Sequence, residues 1–212
     1  MQFDFATHLN LIKRSVIEGE REGKTVRAVT LQRAYDTDVE DLWDAVTNAE
    51  RIPRWFLPIT GDLKLGGKYQ LEGNAGGTVT ACDKPNSFSA TWEFAGGVSW
   101  IEVLIAPEGD KASLTLRHIC PVDEFWAQYG PGAVGVGWDL GTVGLAVHLA
   151  GDEVGKFDET AFATSPEGIE LITGAANDWA RAAIEVGEDP EKARKAARAT
   201  AAFYTGQPAP EA

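Results

Sequence analysis

His118 is the side chain best placed to do chemistry. The run Ala112-Ser-Leu-Thr-Leu-Arg-His118 alternates, which sets His118 on the same strand face as Leu114 and Leu116. An imidazole turned toward a core needs a hydrogen-bond partner. It could orient a bound molecule or move a proton. Tyr69, Glu72 and Glu102 are the partners considered, and a purely structural bond to a carbonyl is the competing reading. His8 and His148 lie far away in sequence, so no metal constellation is expected. Cys82 and Cys120 fall at strand ends with no base beside them and read as small core residues. No G-x-S-x-G elbow is present, so nucleophilic catalysis has no support.

Two other groups of residues invite a chemical reading. Gly135, Gly137, Gly141 and Gly144 crowd one segment, but in a G-x-G-x-x-x-G spacing with no strand directly before it. That is not the dinucleotide pattern. The glycines either let neighbouring elements pack closely or leave space for a ligand, and no cofactor is expected. The acids of Asp36-Thr-Asp-Val-Glu-Asp-Leu-Trp-Asp44 cluster where a helix begins. Capping, the helix dipole and solvent account for them.

The elements that must position these residues follow from pattern. Thr25–Tyr35 reads as a strand with Val26, Leu31 and Tyr35 available for burial. Residues 38–56 read as two short helices, with Val39, Leu42, Trp43 and Val46 at helical spacing and Pro53 near the end. From Gly61 to Pro121, short apolar runs alternate with turn residues. Such spacing leaves no room for crossover helices, so the sheet should be antiparallel. Asp123–Gly132 reads as a loop, and residues 133–150 as a long helix that is apolar nearly all round. Ser165-Pro166-Glu167 and Asp189-Pro190-Glu191 each start a helix, which gives a helical hairpin over about 166–205. Phe5, Leu9 and Ile12 could line a short N-terminal helix.

Composition narrows the functions. The 212 residues are 44% apolar and carry a net charge of −13, a poor match for nucleic acid or an anionic membrane. No apolar run approaches the ~20 residues of a membrane helix. The start shows no signal layout, and two cysteines make no disulfide framework, so the expected setting is cytoplasmic.

Several fragments in order carry a resemblance. They are YDTDVEDLWDAVTNAERIPRWF, GDLKLGGKYQLEG, GGTVTACDKPNSFSATWEF, the strand ending at His118, and GVGWDLGTVGLAVHLAG. Together they resemble the SRPBCC (START-like, Bet v-type) superfamily, in the branch of activators of the heat-shock protein 90 ATPase. The resemblance implies an α+β helix-grip fold: a curved antiparallel sheet wrapped around a long helix. Residues 1–150 would form that domain and 151–212 a helical extension docked on it. It also implies an apolar cavity between sheet and helix that binds a small hydrophobic or amphipathic molecule. Trp92, Phe94 and Trp138 would line it, with Trp55 and Phe56 at its mouth. Tyr69, Val103, Leu116, His118, Thr142 and Leu145 complete the expected ligand-binding set. A chaperone interaction is the second expectation, although the activator family's separate N-terminal domain is not expected here. A cyclase- or hydrolase-like enzyme using His118 is the third. The C-terminal hairpin could cover the cavity or build a homodimer.

Overall fold

The computed structural model describes residues 4–151 and 157–208. In chain order the elements are α1 (Phe5–Asn10), β1 (Lys13–Arg21), β2 (Lys24–Tyr35), α2 (Val39–Thr47), α3 (Ile52–Trp55), β3 (Ile59–Gly61), β4 (Lys68–Leu71) and β5 (Gly76–Asp83). They continue with β6 (Ser87–Phe94), β7 (Gly97–Glu108), β8 (Lys111–Pro121), α4 (Glu124–Tyr129), α5 (Gly132–Leu149), α6 (Glu159–Thr164), α7 (Pro166–Glu185) and α8 (Pro190–Thr205). The strands form one sheet in the order β1-β2-β8-β7-β6-β5-β4-β3, and successive pairs from β3 to β8 are antiparallel. This is the α+β helix-grip fold.

Local chemistry explains where elements start. The Asp38 carboxylate accepts from the Asp41 amide at 2.8 Å and so caps α2, while exposed Asp36 pairs with Lys111 instead. Ser165 caps α7 through the Gly168 amide, and Asp189 caps α8 through those of Glu191 and Lys192. Each of these last two helices has its proline in the first turn.

Three segments differ from the sequence expectation. Residues 13–21 form a strand, β1, in which only Val16 is buried; an exposed edge strand carries no apolar alternation to read. Asp123–Gly132 is not a loop, because Asp123 caps the short helix α4 by accepting from the Trp126 amide at 3.0 Å. Cys82 is exposed on β5 and is no core residue, whereas Cys120 is buried.

The chain makes two compact units, neither a continuous stretch. Of the described residues, the first takes in 32–119, 141–151 and Phe157, and the second takes in 4–31, 120–140 and 158–208. In the first, the inward rows of β7 and β8 are apolar: Ile105 pairs with Leu114, Val103 with Leu116, and Ile101 with His118. In the second, α7 packs on β1, α8 and α1.

Candidate functional site

In the first unit, His118 closes the inward row that Leu114 and Leu116 begin, and it is 2% exposed. Its Nε2 lies 2.8 Å from the Ser99 hydroxyl. Ser99 sits on β7 and also donates to the Trp92 carbonyl at 3.2 Å. The Trp92 ring stands edge-on to the imidazole, 5.6 Å between centroids. Ser99 thus stands where Tyr69, Glu72 or Glu102 was expected. Tyr69 instead donates from its hydroxyl to the Thr91 carbonyl at 2.7 Å. Burial drives the His118 pKa down to about 3, so the ring is neutral throughout the physiological range.

A second polar group faces the later half of α5. Tyr35 donates from its hydroxyl to the Thr142 carbonyl at 3.2 Å, and Arg33 donates to the same oxygen at 3.5 Å. The Arg33 guanidinium also lies 4.9 Å from the Tyr35 ring centre. Arg33, Tyr35 and Thr142 are each 3% exposed. Burial raises the Tyr35 pKa and lowers that of Arg33. Arg33 escaped the sequence reading because a charge suggests solvent. The signal was its place in the row Leu31, Arg33, Tyr35, which shares one strand face.

Trp55 and Phe56 stack at 5.4 Å, and the Trp55 indole donates to the Ala45 carbonyl at 2.9 Å. A Cβ on Gly141 would meet the Phe56 ring at 3.5 Å, and one on Gly144 would meet the Trp55 carbonyl oxygen at 2.6 Å. The glycines therefore admit the end of α3 against α5. Arg51 fixes this corner: it bonds Asp41 at 2.7 Å, Asp44 at 3.0 Å and the His148 ring at 3.3 Å. Burial alone would raise the Asp41 carboxyl, but Thr37 and Arg51 together hold it low; Arg51 holds Asp44 low as well.

Of the expected ligand-binding residues, the fold joins Trp92 to His118, Val103 to Leu116, and Trp55 to Phe56. Leu145 is 1% exposed, one turn beyond Thr142 on α5. Phe94 does not join them, because it ends β6 at a tight turn and is 55% exposed. Trp138 is buried in the second unit. A surface cleft of about 330 Å³ is lined by Glu40, Trp43, Asp44, Thr47, Asn48, Lys84 and Pro85, and none of the expected residues borders it. Among the described residues, no three His, Cys, Asp or Glu side chains gather to hold a metal ion, and no helix is long and apolar enough to cross a membrane.

The second unit holds a charged group that the sequence reading missed. Asp139 is fully buried in the first half of α5. Its carboxylate accepts from Arg14 Nε at 3.1 and 3.2 Å and from the Trp179 indole at 2.9 Å. Arg14 further donates to the carbonyls of Leu9 and Ile12. Burial lifts the Asp139 pKa to about 7, against the pull of Arg14 and Trp179. The available signal was a single acid in an otherwise apolar helix. The glycines of this half serve packing: a Cβ on Gly135 would stand 2.4 Å from the Trp179 ring, and one on Gly137 would stand 2.7 Å from the Tyr204 hydroxyl.

The sequence profile of the family "Activator of Hsp90 ATPase homolog 1-like protein" matches residues 36–149, more than half of the chain. The crystal structure of CalU16 from Micromonospora echinospora is 27% identical, covering 81% of this chain and 97% of that one, with a TM-score of 0.67. Its solution structure gives 28% identity, 82% and 96% coverage, and a TM-score of 0.70. EF2215 from Enterococcus faecalis, 12% identical over 84% of this chain and 95% of its own, shares the fold at a TM-score of 0.59. Among curated proteins none matches. With its helix-grip fold and this match, the chain belongs to the family of Activator of Hsp90 ATPase homolog 1-like proteins, within the SRPBCC superfamily.

Proposed function

We propose that this protein binds a small hydrophobic or amphipathic molecule between the inward face of its sheet and the later half of α5. The observation that carries this reading is a set of fully buried polar groups in an aliphatic wall. They are His118, on the inward row of Ile101, Val103 and Leu116 with the half-buried Ser99 hydroxyl at its ring, and Arg33 with Tyr35 on β2. Apolar walls supply affinity at about 25 cal/mol per Å² buried. A few convergent polar groups set orientation. A neutral imidazole donates or accepts a hydrogen bond without demanding a counter-charge, which suits a hydroxyl or carbonyl on such a ligand. The same burial makes His118 a weak general base, and the Ser99 proton is directed at the Trp92 carbonyl, an arrangement that suits binding better than catalysis. We propose a reducing, cytoplasmic setting as well, since a chain of two cysteines builds no disulfide framework.

Native mass spectrometry of the purified protein tests the proposal, together with uptake of an environment-sensitive apolar dye. The expected outcome is a small-molecule adduct, or dye fluorescence that long-chain amphiphiles displace and that Leu145→Trp abolishes by filling the space. No adduct and no dye uptake would overturn it. The same spectrum reports whether the chain is a homodimer. The family match favours a second reading, an interaction with a chaperone, and an ATPase-stimulation assay with heat-shock protein 90 decides that one separately.

A further inference from the structure

The second unit presents a surface that the ligand reading does not use. On α8, Lys192, Arg194, Lys195 and Arg198 are all exposed, in a chain of net charge −13. Among the described residues, no carboxylate lies within ion-pair distance of any of the four. Even Glu191, one turn before Lys195, makes no bridge to it. By helical spacing Arg194 and Arg198 lie on the flank beyond Lys195, while Lys192 shares its direction with Phe203, near the end of α8 and 65% exposed. Its ring lies 5.8 Å from that of Tyr129 on α4, and the Tyr129 ring lies 5.0 Å from Phe125, itself 55% exposed. The ladder is anchored: the Thr200 hydroxyl donates to the Tyr129 carbonyl at 2.9 Å, and a Cβ on Gly130 would stand 3.3 Å from Ala196. Two helices thus hold open aromatic rings on the side of α8 that carries Lys192 and Lys195, with Arg194 and Arg198 on the adjoining flank.

We propose that this basic–aromatic face of α8 and α4 docks a short acidic segment of a partner protein, one that carries an apolar side chain among its carboxylates. Four unpaired cations call for several anionic groups, and Arg with aromatic rings is the pairing that protein interfaces favour. Lys192 and Phe203 lie about 16 Å apart along the helix, so a few extended residues or two to three helical turns span the face. A short segment brings its charge only to this face. An anionic membrane or a nucleic acid would also meet the strongly acidic remainder of the chain, which repels it. Helix α8, which carries the four cations and Phe203, lies outside residues 36–149, so that part of the face is additional to the stretch the family profile matches. It does not depend on the proposed small-molecule site.

The test is fluorescence anisotropy of the full chain with a fluorescein-labelled peptide of alternating Asp or Glu with Leu and Phe. Two control peptides carry Ser for the apolar residues or Lys for the acids. The expected result is binding that added salt weakens, that Lys195→Glu with Arg198→Glu weakens about tenfold or more, and that Phe203→Ser also weakens. Neither control peptide should bind comparably. All the substituted side chains are exposed, and circular dichroism melts confirm that the variants fold. Peptide binding indifferent to the charge reversal would overturn the proposal. So would retention on phosphatidylserine vesicles, or self-association in sedimentation, that the same double variant abolishes; those results would assign the face to a membrane or to a second copy.

Discussion

His118 and Ser99 lie 19 residues apart in sequence and 2.8 Å apart in space. Strand alternation alone predicts that His118 points inward. Its partner depends on the register of β7 against β8 and on the reach of a short side chain, and neither is visible in one strand's pattern. Arg33 was hidden for the opposite reason: the pattern was present, but its charge argued for solvent. The depressed His118 pKa has a stability consequence with a definite sign. An unfolded chain binds a proton at this histidine near its ordinary 6.5, while the folded chain resists it down to about 3. Over that window the unfolded state holds more protons, so stability falls as pH drops from about 6.5 toward 3. The slope contributed by this residue is at most about 1.4 kcal/mol per pH unit. His118→Gln should remove that slope, whatever it does to stability at neutral pH. Denaturant melts of both proteins across this range measure it, and parallel pH profiles would contradict the assignment.

Elements differ in how much of their purpose the sequence displays. The alternating runs of β7 and β8 announce strands, and the Ser-Pro and Asp-Pro starts announce α7 and α8. The glycines of α5 announce only that side chains are missing. Their purpose is decided by what arrives opposite them, since Trp179 comes from far down the chain. The difference is measurable. Gly135→Ala forces a Cβ to within 2.4 Å of the Trp179 ring, which also donates to Asp139. We expect a loss of about 1–3 kcal/mol from overpacking, and more if the indole–carboxylate bond breaks. Gly174→Ala on α7 is the contrasting case, because nothing lies within 4 Å of the added methyl. It should stabilise by about 0.5–1 kcal/mol through helix propensity. Thermal or chemical melts of the two variants should move in opposite directions, and a Gly135→Ala protein as stable as wild type would remove Trp179 packing as the reason for that glycine.

At the scale of the whole molecule, the question is whether the C-terminal helices are an accessory. The family profile ends at residue 149, which suggests a domain complete without them. CalU16 argues otherwise, since its likeness covers 81% of the chain and so runs well beyond that stretch. The contacts of the second unit point the same way. Trp179 covers Gly135 and bonds Asp139, Tyr204 donates to the Ala133 carbonyl at 2.8 Å, and Thr200 holds α4. Ending the chain after Gly151 would expose the apolar flank of the first half of α5. It would also leave the Asp139–Arg14 pair without its indole donor and its cover. A buried ion pair that loses a partner group is costly, because desolvated charge remains without compensation. We therefore propose that the helical extension is integral to folding. A chain of residues 1–151 should lose the cooperative thermal transition of the full-length protein, or aggregate on expression. A sharp transition at an unchanged midpoint in that shortened chain would show instead that the extension is dispensable.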